Sequence, residues 1–149
     1  MSTNNSGDSS QQFAYYLANL KDGEFECAFH GLREMSPSIV PKLIAEFHVE
    51  ISPIIRSELV EIVWTFKRPE ILPFLAIALM DESAMVWKSA LDGLVALATP
   101  DSLSVLNACL TRSFVKRKDE ISFRKWVQEA MQQVNETLNS PGQDPQYAP

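Results

Sequence analysis

A block of about 31 residues recurs along this chain, and that recurrence constrains the fold more than any other feature. "AFHGLREMSP" (Ala28–Pro37) returns as "ALDGLVALATP" (Ala90–Pro100). Ala28, Phe29, Gly31, Leu32 and Met35 are answered by Ala90, Leu91, Gly93, Leu94 and Leu97, each 62 positions on, two steps of 31. At the single step stands "LVEIVWTFKRP" (Leu59–Pro69), with Leu59, Val60, Ile62, Val63 and Phe66 in the same places. A unit of this length is one supersecondary element that cannot cover its own apolar face, so stacked neighbours must cover it.

The copies stay parallel beyond their prolines. "SPSIVPKLIAEF" (Ser36–Phe47) aligns with "RPEILPFLAIAL" (Arg68–Leu79), pairing Pro37 with Pro69, Pro41 with Pro73, Leu43 with Leu75 and Phe47 with Leu79. In the third copy Leu103, Leu106 and Leu110 keep the spacing of Leu72, Leu75 and Leu79. Steps of three then four are helical. Each unit therefore reads as a helix, a turn marked by proline and a second helix, with Ser52, Ser83 and Asp101 as candidate caps. "FAYYLANLKD" (Phe13–Asp22) reads as a second helix without its first, and "FRKWVQEAMQQV" (Phe123–Val134) as a first helix delayed by six residues. The expected fold class is all-α, about eight helices forming three full helix-pair repeats flanked by half-repeat caps. Residues 1–9 are expected to be disordered, 10–138 to form the repeat domain and 139–149 to be a disordered tail.

"RPEILPFLAIALMD" (Arg68–Asp81) has no charge between Glu70 and Asp81. That run is about half of what a helix needs to cross a bilayer. It fits the second helix of the central unit, with Leu72, Leu75 and Leu79 inward and Ile71 and Ala78 against flanking units. Pro73, Ile77 and Met80 are left over, and they correspond to Pro41, Ala45 and His48 before and to Ser104, Ala108 and Thr111 after. The polar start "MSTNNSGDSSQQ" resembles neither a signal nor a transit peptide. Two cysteines, Cys27 and Cys109, make no disulfide framework, and a reducing cytoplasm is the expected location.

Charge is unevenly distributed. Arg112 to Lys125 holds six basic residues against Asp119 and Glu120, a local +4, which leaves −10 on the rest of a chain whose net charge is −6. An acidic body repels a phosphate backbone and suits a basic protein partner. The expected partner is therefore another, basic protein, with neither nucleic acid nor membrane, and the free chain is expected to be a monomer.

The pattern in "IRSELVEIVWTFKRPEILPFLAIALMD" (Ile55–Asp81), an apolar residue, an arginine, a proline-marked turn and a leucine-rich helix ending near an aspartate, resembles the HEAT-like (PBS-lyase-type) helical repeat family. The likeness covers residues 13 to 138, with Trp87 and Phe25 at the places of Arg56. It implies a right-handed α-α superhelix with the second helices on the concave side, used mainly to bind proteins. Fold likeness by itself does not assign a function.

Enzymatic members of such families leave marks that this chain lacks. Relatives that bind iron do so through adjacent His-Glu pairs, whereas His30 precedes Gly31 and His48 precedes Val49. Relatives that repair DNA use a basic concave groove, whereas the second helices here carry Glu46, Glu50, Glu70, Asp81 and Asp101. Glu46, His48 and Glu50 read as a solvated helix end rather than a metal site. Cys27 and Cys109 read as small packing residues, with no histidine placed to activate them, and Trp64 and Trp126 as half-buried packing. There is no phosphate loop and no nucleophile elbow. No catalytic residue, metal or cofactor is expected.

The resulting expectation is a non-enzymatic protein-binding scaffold. Its concave face comprises Pro41, Ala45, His48, Pro73, Ile77, Met80, Ser104, Ala108 and Thr111, with Trp87 as the candidate anchor. Glu46, Glu50, Asp81 and Glu82 form an acidic rim, and Arg112, Lys116, Arg117 and Lys118 a basic loop. One concrete form is a bacterial immunity or antitoxin-type inhibitor of a basic toxin. The alternatives are a HEAT-like enzyme or lyase acting on a modified base, bilin or protein residue, and a structural subunit or adaptor of a larger complex.

Overall fold

The computed structural model describes the backbone from Thr3 to Ser140, with side chains from Asp8 onward. Among these residues there are eight α-helices, two short 3-10 turns and no strand. Among the described residues no helix is long and apolar enough to cross a membrane. The chain divides into two compact units, residues 1–66 and 67–149, so the boundary falls between the two helices of the expected central repeat.

The first unit contains α1 (Thr3–Lys21), α2 (Phe25–Arg33), α3 (Val40–Val49) and α4 (Pro53–Thr65). Helix α1 packs on α2, α3 packs on α4, and α2 lies beside α4. Its core includes Leu20, Leu32, Leu43, Leu59, Ile62 and Val63, all fully buried. Each such side chain contributes about 1.5–3 kcal/mol relative to remaining exposed. Helix α1 approaches α2 closely because Gly31 has no side chain: a Cβ there would collide with the Tyr16 ring. Helix α1 starts at Thr3, inside the stretch 1–9 expected to be disordered.

The second unit contains α5 (Leu72–Ala78), α6 (Ala84–Leu97), α7 (Pro100–Cys109) and α8 (Arg117–Asn139). It repeats the local plan: α5 packs on α6, α7 on α8, α6 lies beside α8 and α5 beside α7. Leu75, Leu79, Leu94, Leu106, Phe123 and Val127 are fully buried between them. Helix α8 thus stands where a first helix would. It begins at Arg117, six residues before the expected Phe123, so Arg117 and Lys118 belong to the helix and not to a loop. Residues 141–149, most of the expected tail, lie outside the described residues.

The prolines and caps explain the helix boundaries. Pro37 and Pro69 open 3-10 turns, and Pro41 and Pro73 sit in the first turns of α3 and α5, where a missing N–H removes no helical bond. The third copy omits the 3-10 turn. There Thr99 and Ser102 form a capping box, the Ser102 N–H donating to Thr99 Oγ1 at 3.1 Å and the Thr99 N–H to Ser102 Oγ at 3.3 Å. Thr99, not Asp101, is therefore the cap of α7. Ser52 Oγ accepts from the Ile55 N–H at 3.4 Å, whereas Ser83 caps α6 by position without a side-chain bond. Helices α4 and α6 both run out into a left-handed residue 31 positions apart, Lys67 (φ 50°) and Ala98 (φ 46°). Glycine is usual at such positions, and its absence hid these two stops.

Candidate functional site

Nine of the ten residues expected on the concave face are exposed. In the first unit these are Pro41, Ala45 and His48, on the outward side of α3. The surroundings of this face are polar and largely engaged. Lys42 Nζ lies 5.5 Å from the Phe13 ring centroid, and Lys21 Nζ lies 3.3 Å from Glu46 Oε1. His48 stands edge-on to Phe47 with ring centroids 5.5 Å apart. Apolar exposure here sits at the helix end, where Val49 and Ile51 are 72% and 87% exposed.

The second unit is different. Pro73 and Ile77 on α5, Met80 just beyond it, and Ser104, Ala108 and Thr111 on and just beyond α7 are all exposed. Ile77 and Met80 keep 50% and 53% of their surface in water, too much for core residues. A groove of about 350 Å³ runs between the two helices, lined by Ala76, Leu79, Met80, Ser104, Val105, Ala108 and Cys109. The hydroxyls near it bond to their own helix, Thr111 Oγ1 donating to the Ala108 carbonyl at 3.0 Å and Ser104 Oγ to the Pro100 carbonyl at 3.5 Å. Neither α5 nor α7 carries a basic residue. The outcome is an apolar trough with weak internal polarity. Its walls Ala76 and Val105 were not foreseen, although each lies three or four residues from a foreseen position on the same helix face.

The acidic rim is partly consumed by local structure. Glu50 Oε2 accepts the Ser52 N–H at 3.0 Å, and Asp81 Oδ1 accepts the Ser83 N–H at 2.9 Å. "EIS" and "DES", 31 residues apart, thus close equivalent turns, a repeat visible in the sequence but read there only as charge. Glu46 faces Lys21, and Glu82 is left exposed.

Trp87 is not a surface anchor. It is 4% exposed and meets Phe123 edge-on, with ring centroids 4.9 Å apart. Its place in the repeat explains this. In the first unit Arg56 Nη1 donates to the Glu50 and Ile51 carbonyls at 3.2 and 2.7 Å, tying the loop between α3 and α4. Trp87, 31 residues later, fills that position with an aromatic ring, and the guanidinium comes from Arg112 instead. Arg112 Nη1 donates to the Leu79 carbonyl at 2.7 Å. Its guanidinium carbon lies 4.2 Å from the Phe114 centroid and 5.1 Å from that of Phe123. Burial draws its pKa down while Asp81 opposes the shift. Arg112 is therefore a structural tie rather than part of a free basic loop. Lys116, Arg117 and Lys118 are exposed.

The remaining reactive groups are separate. Cys109 is buried, donates Sγ–H to the Leu106 carbonyl at 3.1 Å, and has its thiol pKa pushed by burial to about 11, which keeps it protonated. Cys27 is exposed rather than packed in the apolar seam. Trp64 is half-buried as expected, whereas Trp126 is exposed, with Lys88 Nζ 4.4 Å from its ring centroid. No three His, Cys, Asp or Glu residues are gathered for a metal ion among the described residues, Glu46, His48 and Glu50 included. No family model, curated protein or solved structure matches the chain.

Proposed function

We infer that this chain is a non-enzymatic protein-binding module. The observation that carries the reading is the apolar groove between α5 and α7, with Met80 half in water in its lining and Ile77, three residues before it, equally half in water. Apolar side chains offered together on a helix pair that carries Asp101 and no basic residue, with Asp81 and Glu82 just beyond α5, suit a partner that brings apolar anchors and basic flanks. The repeated packing order within each unit supports HEAT-like helix pairs as the scaffold. The reading includes a cytoplasmic setting and a monomeric free state. An inhibitor of a basic toxin is the most concrete form of it.

The test is retention of protein from a cell lysate on the immobilised chain, compared with the double variant Ile77→Ser, Met80→Ser. A partner held by the parent, released by salt and lost with the variant supports the reading. Equal retention by both proteins refutes this site.

A further inference from the structure

The start of α8 carries a second surface that the groove does not use. Arg117, Ile121, Arg124 and Lys125 recur at helical spacing on the side opposite the buried Phe123, Val127, Ala130 and Val134. Lys116 and Lys118 extend the same patch, and all five cations are exposed. Glu120 pairs with Arg124 at 3.5 Å, and Asp119 is the other acid of the first turn. Two aliphatic side chains stand among these charges: Val115 is 104% exposed at the tip of the preceding loop, and Ile121 is 56% exposed.

We propose that this patch binds an anionic phospholipid surface. The cations meet headgroup phosphates and carboxylates while Val115 and Ile121 enter the boundary between headgroups and acyl chains. A lipid surface is favoured over a folded protein because the outward face of the first turns of α8 is convex and holds one apolar residue, too few for a helix-packing seam. It is favoured over nucleic acid because single strands are held by stacking on aromatic rings, whereas Val115 and Ile121 are aliphatic and the exposed ring of α8, Trp126, already carries Lys88 Nζ 4.4 Å from its centroid. Net composition pointed away from membranes because it averages this patch with the acidic remainder, whereas screening confines each charge to roughly 10 Å. Five cations against two acids leave three net charges, each worth roughly fivefold in partitioning, so attachment is salt-reversible and about a hundredfold stronger than to a neutral surface.

The experiment is vesicle co-sedimentation of the full chain. Vesicles of phosphatidylcholine with about one third phosphatidylserine should retain it at low salt, and pure phosphatidylcholine should not. Lys116→Ala, Arg117→Ala, Lys118→Ala should lower partitioning about a hundredfold with far-UV circular dichroism unchanged. Val115→Ser, Ile121→Ser should lower it roughly tenfold or more without changing the salt dependence. No binding to the anionic vesicles, or binding undiminished by the triple variant, overturns the proposal. So does an aliphatic double variant that binds like the parent while duplex DNA or polyglutamate competes as well as the vesicles, since the patch would then recognise any polyanion.

Discussion

Replacing Arg112 should destabilise the second unit far more than replacing any neighbouring cation. In Arg112→Met the aliphatic stem stays and the charge, the hydrogen bond to the Leu79 carbonyl and the two ring contacts go. A hydrogen bond from a charged donor contributes about 1.5–3 kcal/mol, and each cation–π contact at a half-buried site about 0.5–1 kcal/mol. Water can replace part of the lost bond at the end of α5, so the expected loss is about 2–4 kcal/mol, the lower part of the sum. For a chain of this size that corresponds to a fall in Tm of roughly 5–15 °C. Arg112→Lys should recover less than half, because an ammonium cannot lie flat between Phe114 and Phe123. Urea unfolding followed by Trp fluorescence reads the effect directly, since Trp87 lies against Phe123. A double-mutant cycle with Phe114→Leu should give a coupling of about 0.5–1 kcal/mol. A loss below about 0.5 kcal/mol, the range of ordinary surface changes, would show that Arg112 is a solvated loop cation after all. Lys116→Ala is the control and should stay within that range.

Gly31→Ala should lower stability by about 1–3 kcal/mol in thermal unfolding, because the new methyl meets the Tyr16 ring, which must leave its packed place against α2. Ala98→Gly should raise stability by about 1 kcal/mol in urea, since the left-handed backbone at φ 46° penalises any Cβ; no gain would mean that the turn after α6 relaxes freely. A thiol titration should count one reactive cysteine per native chain, Cys27, and two in denaturant; two in the native state would contradict the burial of Cys109. Partial burial raises the Glu58 pKa, so its folded value lies above its unfolded one, and its contribution is fully present only below the unfolded pKa and is lost as pH rises through the folded value. Glu58→Gln should therefore be more stable than the parent at neutral pH, with the gap closing below about pH 4, and a gap that persists in acid would assign the effect to packing.

The repeat, the helical spacing and the placing of Pro37, Pro41, Pro69 and Pro73 could be read from the chain because they are local: periodicity and proline stereochemistry act within a few residues of one helix. The exposure of Ile77 and Met80 followed from the same register, since a helix with one buried stripe must turn its remaining side chains outward. Helix boundaries were less legible. Lys67 and Ala98 stop α4 and α6 in a conformation their side chains disfavour, and α8 starts among Arg117 and Lys118, cations that its N-terminal dipole opposes and that Asp119 and Glu120 offset.

Sequence alone therefore determined an all-helical chain, its unit length and which face of α5 is left over. Only the tertiary structure decided what the charged and aromatic residues do. Trp87 looked like an anchor and Arg112 like a loop cation until packing placed the ring against Phe123 and the guanidinium on the Leu79 carbonyl, 33 residues away in sequence. Glu50 and Asp81 likewise proved to be turn acceptors as well as rim charges. A side chain's burial and partners depend on residues distant in the chain, and no local pattern encodes which of them will arrive.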